Sequence, residues 1–228
     1  QTLPSTIGGD AIRVTYGYRN GLALKTAVKG VLIDRLSALL ALILMSAATL
    51  PLLYDAIGNH AFADFVSALV AVALVGTLAL VALRTLPRGI RNWPGLRQAA
   101  GLSDAIWTVL LRPARAGLVI LISLIVHVGL GLIVYYLAWL LDTGIGPLVC
   151  LTLYPPIILV SMAPISIAGW GVRESAMVAA FTLVGMNQAD ALAISVLFGA
   201  TGVASGLLGA LVWVVAERWG PALKQPAA

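Results

Sequence analysis

The sequence predicts an all-α protein, a polytopic transmembrane helical bundle with broken or re-entrant helices at two glycine- and proline-containing motifs. Composition gives the first reason: 61% of the 228 residues are hydrophobic and only 10% are charged, whereas about a quarter of a soluble domain is charged. The second reason is that the apolar residues form long runs, with a mean hydropathy of +1.01. We therefore treat residues 1–228 as one transmembrane domain.

The long apolar runs define the expected membrane crossings, each of which needs about 20 apolar residues. Four of these runs are long enough. A fifth run, 147–163, is shorter, and we expect Pro155 and Pro156 to break it. A sixth, 175–186, is too short alone. It either crosses together with 169–173 or forms one arm of a re-entrant hairpin. The four long candidates are 36–53, 65–83, 116–141 and 191–216.

The basic residues are distributed unevenly, and their distribution predicts the orientation. Five of the fourteen lysines and arginines lie in 10–35 and six lie in 84–115. The connection 54–64 and the connection around Asp142 contain none. The positive-inside rule places the two basic segments in the cytoplasm and the other two connections outside. A crossing at 175–186 would also bring the basic C-terminal tail inside, so we favour six crossings over five.

The basic segment 84–115 is too long for a simple turn between two crossings. Its apolar residues between Ile106 and Leu111 share one helix face, and Ser103 is a plausible N-cap. One interpretation is an interfacial helix that lies on anionic lipid. The other is a solvated loop whose arginines only set the orientation. Both interpretations remain open at this point.

The pattern P-x-x-I-[G/A]-G-x-x-x-R occurs twice, with the copies 160 residues apart. Proline and glycine favour breaks in a helix, and in lipid such breaks are tolerated only where they are buried in protein or line a cavity. Many transporters build a substrate site from broken helices in two related halves. Four crossings between the copies would place both on the cytoplasmic side, whereas inverted repeats would place them on opposite sides. The copies consist of Pro4, Ile7, Gly8, Gly9 and Arg13, and of Pro164, Ile167, Ala168, Gly169 and Arg173.

The arginine of each copy indicates an anionic ligand. A guanidinium is costly within a membrane unless it meets an anion or a carboxylate, and it matches a phosphate in a bidentate fork. A helix that starts after a glycine turn adds free N–H groups for the same anion. The alternative is that Arg13 pairs with Asp10, and Arg173 with Glu174, to pin re-entrant turns. A mixed role, in which these pairs hold the arginines until substrate arrives, fits the sequence equally.

Three further polar residues lie in or beside the apolar runs. His127, midway along 116–141, is a candidate proton relay or phosphate ligand, with a hydrogen bond between helices as the alternative. Asp34 and Arg35 open the first crossing, either as an interfacial anchor or as a second pair of site residues. Two histidines and one cysteine are too few to predict a metal site. Without a nucleotide-binding glycine loop and its lysine, we expect no ATP-driven work, and no cofactor is predicted.

Several segments, taken in order, resemble the lysylphosphatidylglycerol synthase transmembrane (flippase-like) family of integral membrane proteins over nearly the whole chain. The resemblance implies a multi-pass protein of a bacterial or archaeal cytoplasmic (inner) membrane that moves or handles lipid. The family usually has further spans before the first motif, so we expect this domain to lack N-terminal spans. The segments are LPSTIGGDAIR at 3–13, DRL at 34–36, PISIAGWGVRE at 164–174, ALAIS at 191–195 and Gly199.

The resemblance implies relatives that act on aminoacylated phosphatidylglycerol, hopanoid or polyprenyl lipids. We therefore predict a lipid transporter, or flippase, for an anionic or aminoacylated phospholipid or a polyprenyl- or hopanoid-type lipid. No soluble aminoacyl-transferase segment follows the last run, so lipid lysylation by this chain is not expected. One alternative is an enzyme that uses the carboxylates as acid and base on a lipid phosphate. The other is a membrane scaffold for a separate lipid synthase.

The predicted substrate-binding residues combine both motifs with the further polar residues, and no catalytic residue is assigned. The expected partners are membrane lipids and, under the scaffold alternative, a lipid-modifying synthase. An oligomer is compatible with the sequence, and no nucleic-acid partner is expected. The predicted site residues are Asp10, Arg13, Asp34, Arg35, His127, Arg173, Glu174, Gly8, Gly9, Gly169, Trp170 and Gly171.

Overall fold

A computed structural model of the protein describes residues 6–57, 60–111, 113–162 and 171–219. Over these ranges the chain is built of helices without strands, which confirms the all-α prediction. A short 3₁₀ turn, Leu83–Thr85, follows the third helix. The α-helices are α1 Thr6–Arg19, α2 Leu24–Ala56, α3 His60–Ala82, α4 Arg88–Arg91, α5 Arg97–Leu110, α6 Pro113–Leu140, α7 Pro147–Ser161, α8 Val172–Thr182 and α9 Gln188–Trp219.

Four helices, α2, α3, α6 and α9, are long and apolar enough to cross a membrane. Each overlaps one of the four long candidates in the sequence, although α2 begins at Leu24, well before the candidate 36–53. The other two predicted crossings correspond to α7 and α8, which have 15 and 11 residues. At 1.5 Å of rise per residue these reach about 22 and 16 Å, less than the roughly 30 Å of a hydrocarbon core. Neither α7 nor α8 therefore crosses alone, so the preference for six crossings is not supported.

Contacts between helices place α7 and α8 beside α6 and α9. Tyr154 of α7 packs against His127 of α6 and Phe198 of α9, and Arg173 of α8 lies over the same Phe198 ring. α7 also packs against α8, and α8 packs against α9. The two short helices are therefore packed against each other within the bundle, and the re-entrant hairpin stays a prediction.

The predicted break at Pro155 and Pro156 is wrong, because α7 continues through both residues. Each proline lacks the N–H that would bond the carbonyl four residues earlier, which affects Leu151 and Thr152. Both prolines are buried, and non-ideal helix is tolerated at membrane depth where protein covers it. α7 packs against α2, α6 and α8. It therefore lies at the centre of the bundle, with α2 as one of its main neighbours.

The basic segment 84–115 is organised by α5. The indole Nε1 of Trp107 donates a hydrogen bond to the carbonyl of Val81 at the end of α3, at 2.9 Å, and the Arg84 guanidinium lies 5.3 Å from the Trp107 ring centre. Arg91 pairs with Asp104 at 2.7 Å. A helix is thus present where one interpretation placed it. Ser103 lies inside α5, so its predicted role as N-cap is wrong.

The close contact between α6 and α7 at Gly131 yields a stability prediction. A Cβ at this position would lie 2.8 Å from Leu151 Cδ2 and 3.6 Å from Tyr154 Cδ1. We expect Gly131→Leu to destabilise the protein by about 1–3 kcal/mol, because extra atoms in a packed core force side chains from their places. The thermal unfolding midpoint in detergent measures the effect. Gly129→Leu is the matched control, since a Cβ at Gly129 has open space; equal midpoints for the two variants would contradict the packing described.

Candidate functional site

α1 and α2 form an antiparallel hairpin that carries four charged residues. α1 ends in a Schellman motif, in which the Leu22 N–H bonds the Gly17 carbonyl and the Gly21 N–H bonds that of Tyr18, both at 3.1 Å. Gly21 has φ +89°, a left-handed conformation that favours glycine. This turn folds α1 back along α2, so that Asp10 and Arg13 face the first half of α2.

The four charges form two ion pairs that cross between the helices. Arg35 donates two hydrogen bonds to the Asp10 carboxylate, from Nε to Oδ2 and from Nη2 to Oδ1, both at 2.9 Å. Arg13 pairs with Asp34. The hypothesis that Arg13 pairs with Asp10 is therefore wrong. Residues three apart on one helix can pair locally, but here each charge of α1 meets an opposite charge on α2 instead.

Gly8 and Gly9 lie within α1, which begins at Thr6. The glycine turn expected in the first motif is therefore replaced by helix over the described residues. The first motif contributes the side chains of Asp10 and Arg13 to the cavity described below, and Gly9 lies beside them in its lining.

The crossed pairs line a cavity of about 720 Å³ enclosed by α1, α2, α6 and α9. We call this the polar cavity. Its polar side chains come from all four helices, and Gly206 and Gly209 of α9 complete its wall. The polar side chains are Asp10, Arg13, Asp34, Arg35, Ser123, His127 and Ser205. The cavity thus gathers five of the predicted site residues whose side chains carry charge or can be protonated.

His127 stands at the inner end of the polar cavity and is 7% exposed. Its Nδ1 lies 2.7 Å from the carbonyl of Ser123, one turn earlier on α6. A carbonyl only accepts, so Nδ1 carries the hydrogen, and Nε2 is left as an acceptor in the neutral ring. The alternative of a hydrogen bond between helices is therefore wrong for Nδ1. His127 is held by its own helix and lines the cavity.

Of the second motif, residues 163–170 lie outside the described residues, and these include Gly169 and Trp170. The described part begins with Gly171, which caps α8 with φ +85°. The Glu174 carboxylate accepts a hydrogen bond from the Gly171 N–H, which is the glutamate half of a capping box. Its other oxygen lies 2.5 Å from Arg173 Nη2. The ion pair predicted for Arg173 and Glu174 is confirmed.

The ion pair of Arg173 and Glu174 is more deeply buried than that of Arg13 and Asp34. The side chains of Arg173 and Glu174 are only 12% and 14% exposed, whereas those of Arg13 and Asp34 are 58% and 50% exposed. Arg173 is also covered by the ring of Phe198, 5.9 Å from its guanidinium. A ligand in the polar cavity can therefore reach the charges of the α1–α2 hairpin, while Arg173 is enclosed by protein.

Among the described residues, Arg173 does not line the polar cavity with Arg13. Aromatic rings connect the two regions. The ring centres of His127 and Tyr154 are 6.5 Å apart, and those of Tyr154 and Phe198 are 5.9 Å apart. Sequence reasoning missed Tyr154, Phe198 and Ser205, because their roles depend on the packing of α6, α7 and α9 and no local pattern marks them.

The chemistry available in the polar cavity is ion exchange at the guanidinium groups. Two arginines face two aspartates, so the hairpin contributes no net charge to the cavity. A phosphate can replace a carboxylate on an arginine, because both present two oxygens to the planar fork. The released aspartate can then form an ion pair with an ammonium group. His127 adds a group that can accept or donate a proton beside the same space.

The sequence model of the family described as the lysylphosphatidylglycerol synthase TM region matches residues 1–209. The chain belongs to this family, and the resemblance identified from the two motifs is confirmed. It is thus a multi-pass protein of a membrane family associated with lipid. No curated protein and no solved structure matches the chain.

The crossed pairs yield a prediction about α1. We expect Asp10→Asn to speed the hydrogen exchange of α1 amides up to about fivefold, because a partly exposed ion pair stabilises by about 0.2–1 kcal/mol. Exchange followed by mass spectrometry measures this. The double variant Asp10→Arg with Arg35→Asp should recover most of the protection. Asp55→Asn, at the opposite end of α2, is the control; an α1 exchange rate unchanged by Asp10→Asn would refute the role of the pair.

Proposed function

We propose that this protein moves a membrane lipid between leaflets and holds the phosphate of its headgroup in the polar cavity. The observation that carries the proposal is a cavity with two arginines and two aspartates inside an otherwise apolar bundle of a lipid-associated membrane family. Charged residues at such positions are costly and are typical of substrate pathways. The substrate class is an anionic or aminoacylated phospholipid, or a polyprenyl- or hopanoid-type lipid with a charged headgroup.

Binding starts at the more exposed pair. Arg13 and Asp34 are about half exposed, so a phosphate can take the place of Asp34 on Arg13 without opening the bundle. The bidentate contact between Arg35 and Asp10 keeps α1 in position during this exchange. Asp34, once released, faces the same cavity and can accept the amine of an aminoacylated headgroup. The lipid tails remain outside, against the apolar surface of α6 and α9.

Movement across the membrane requires a path past the inner end of the cavity. His127 stands at that end, and Tyr154 and Phe198 separate it from Arg173 and Glu174 at the start of α8. In the proposal, the paired arms α7 and α8 move to let the phosphate pass from the α1–α2 arginines toward Arg173. Glu174 holds Arg173 until that step. The half-helix start of α8 adds backbone N–H groups for the same anion.

An enzyme acting on a lipid phosphate is the second candidate, because His127 shares the polar cavity with two carboxylates. An imidazole and a carboxylate can act as general base and general acid. Purified protein incubated with a phospholipid in detergent discriminates the two. Transport leaves every covalent bond of the lipid intact, whereas the enzyme forms a new product. Co-purification of a synthase, with no transport by the chain alone, would instead favour the scaffold.

The transport proposal predicts the effect of neutralising the cavity arginines. We expect Arg13→Gln and Arg35→Gln to slow the flipping of fluorescent phosphatidylglycerol in proteoliposomes at least about tenfold, because a hydrogen bond to a charged group contributes about 1.5–3 kcal/mol. Quenching of the outer-leaflet fluorophore with dithionite measures the rate. Lys29→Gln removes one positive charge from an exposed position of α2 outside the cavity and should leave the rate unchanged. Equal rates for all three variants would exclude phosphate binding in the polar cavity.

Arg173 has its own test, since it lies outside the lining of the polar cavity. We expect Arg173→Ala to slow flipping at least about tenfold, for the same reason, and Arg173→Lys to recover part of the rate because it keeps the charge but loses the fork. Thermal midpoints of both variants separate a loss of transport from a loss of folding. A correctly folded Arg173→Ala protein that flips lipid at the wild-type rate would contradict the role assigned to Arg173.

A further inference from the structure

A second cavity lies between α2, α3, α5 and α6, with a volume of about 120 Å³. We call it the elbow pocket. Its lining is apolar apart from Ser37 and Thr77, whose hydroxyls donate to the carbonyls of Asp34 and Ala73 at 2.9 and 2.8 Å. Both hydroxyls are therefore satisfied within their own helices. The described lining offers no polar group in need of a partner, so the pocket suits a hydrocarbon.

The elbow pocket is separate from the polar cavity. On α2 it uses Ile33, Leu36 and Leu40, which recur at helical spacing on one face, whereas the polar cavity uses Asp34 and Ala38 on another. On α6 the two sets follow one another along the helix: Ala116, Val119 and Ile120 line the pocket, and Ser123, Val126 and His127, one to two turns further on, line the cavity. α2, which packs against α6, therefore separates the two spaces by its two faces.

The depth of the elbow pocket is that of acyl chains just beneath the headgroups. Its α3 residues, Thr77 to Val81, belong to the last turns before the 3₁₀ turn, and its α6 residues belong to the first turns of that helix. Both ends adjoin the segment 84–115, which carries six arginines and one acidic residue. The positive-inside rule assigns this end to the cytoplasmic leaflet, which holds most of the anionic lipid.

A fixed cation stands beside the pocket. Arg84 follows Val81 by one turn, is exposed to solvent, and is held over the Trp107 ring. Trp107 is itself held by its hydrogen bond to the Val81 carbonyl, and its neighbour Ile106 lines the pocket. A cation–π contact leaves the N–H groups at the guanidinium edge able to bind an anion. A site for hydrocarbon, in the pocket, therefore lies beside a site for an anion, at Arg84.

We propose that the elbow pocket binds a short part of one acyl chain, next to the headgroup, of an anionic phospholipid of the cytoplasmic leaflet, whose phosphate contacts Arg84. The pocket itself requires an apolar occupant, and Arg84 requires that occupant to carry a negative charge where it leaves the pocket. A phospholipid meets both requirements with one molecule at the observed depth. This lipid is bound rather than transported, because α2 separates it from the charged residues of the polar cavity. It ties α5 to the ends of α3 and α6.

Photo-crosslinking of the wild-type protein tests the site directly. The probe is phosphatidylglycerol with a diazirine near the carboxyl end of one acyl chain, added in detergent and mapped by peptide mass spectrometry. We expect labels on pocket residues of α2, α3 and α6, and stronger competition by unlabelled phosphatidylglycerol than by phosphatidylcholine of the same chains. Labels spread evenly over exposed apolar positions such as Leu121 and Ile125 would contradict lipid binding in the pocket. Equal competition by the two lipids would overturn the role of charge.

Variants separate the two parts of the site and distinguish it from the polar cavity. Arg84→Gln and Ala116→Phe should each reduce pocket labelling at least about fivefold, the first by removing the cation and the second by filling the space. Leu121→Phe, on the exposed face of α6, and Arg13→Gln, in the polar cavity, are the controls and should leave labelling unchanged. Labelling that falls with Arg13→Gln but not with Arg84→Gln would show a single lipid site in the polar cavity. Because competition is measured on the wild type, misfolding of a variant leaves the proposal testable.

Discussion

Lipid offers no hydrogen bonds and little solvation for charge, and this constraint determines where each polar group of the bundle lies. Helices satisfy the backbone within each segment. Several side-chain hydroxyls are satisfied within their own helix too: Thr77, Thr152 and Ser161 each donate to the carbonyl four residues earlier. Charged groups cannot be satisfied in this way, and Arg13, Arg35 and Arg173 each pair with a carboxylate instead. These charges therefore depend on partners within the protein rather than on lipid.

The pairs divide the molecule into regions with different chemistry. Arg13 and Asp34 are open to the polar cavity, while Arg173 and Glu174 are enclosed at the start of α8. On the other face of α2, the elbow pocket contains no charge in its lining. One helix thus serves a charged space and a hydrocarbon space with residues only one or two positions apart. A headgroup and an acyl chain require those two environments at a membrane surface.

The sequence was sufficient for those features that depend on length, composition or neighbouring residues. The four long helices follow from apolar runs of the necessary length, and the pair of Arg173 and Glu174 follows from adjacent residues at a helix start. Features that depend on contacts between distant segments were not readable. The partners of Asp10 and Arg13 come from α2, and the continuity of α7 through Pro155 depends on its burial by neighbouring helices. Gly8 and Gly9 were expected to form a turn, but glycine permits a helix as well as a break.

The crossed pairing of α1 with α2 restricts how α1 can move. If α1 slid by about one turn along α2, Asp10 would come to the place of Arg13, beside Asp34, and like charges would meet. Axial sliding is therefore opposed by repulsion as well as by the loss of attraction. A swing about the Gly21 turn separates both pairs together and brings no like charges into contact. The hairpin thus behaves as a hinge with a fixed register, and its opening is a single concerted event rather than a gradual slide.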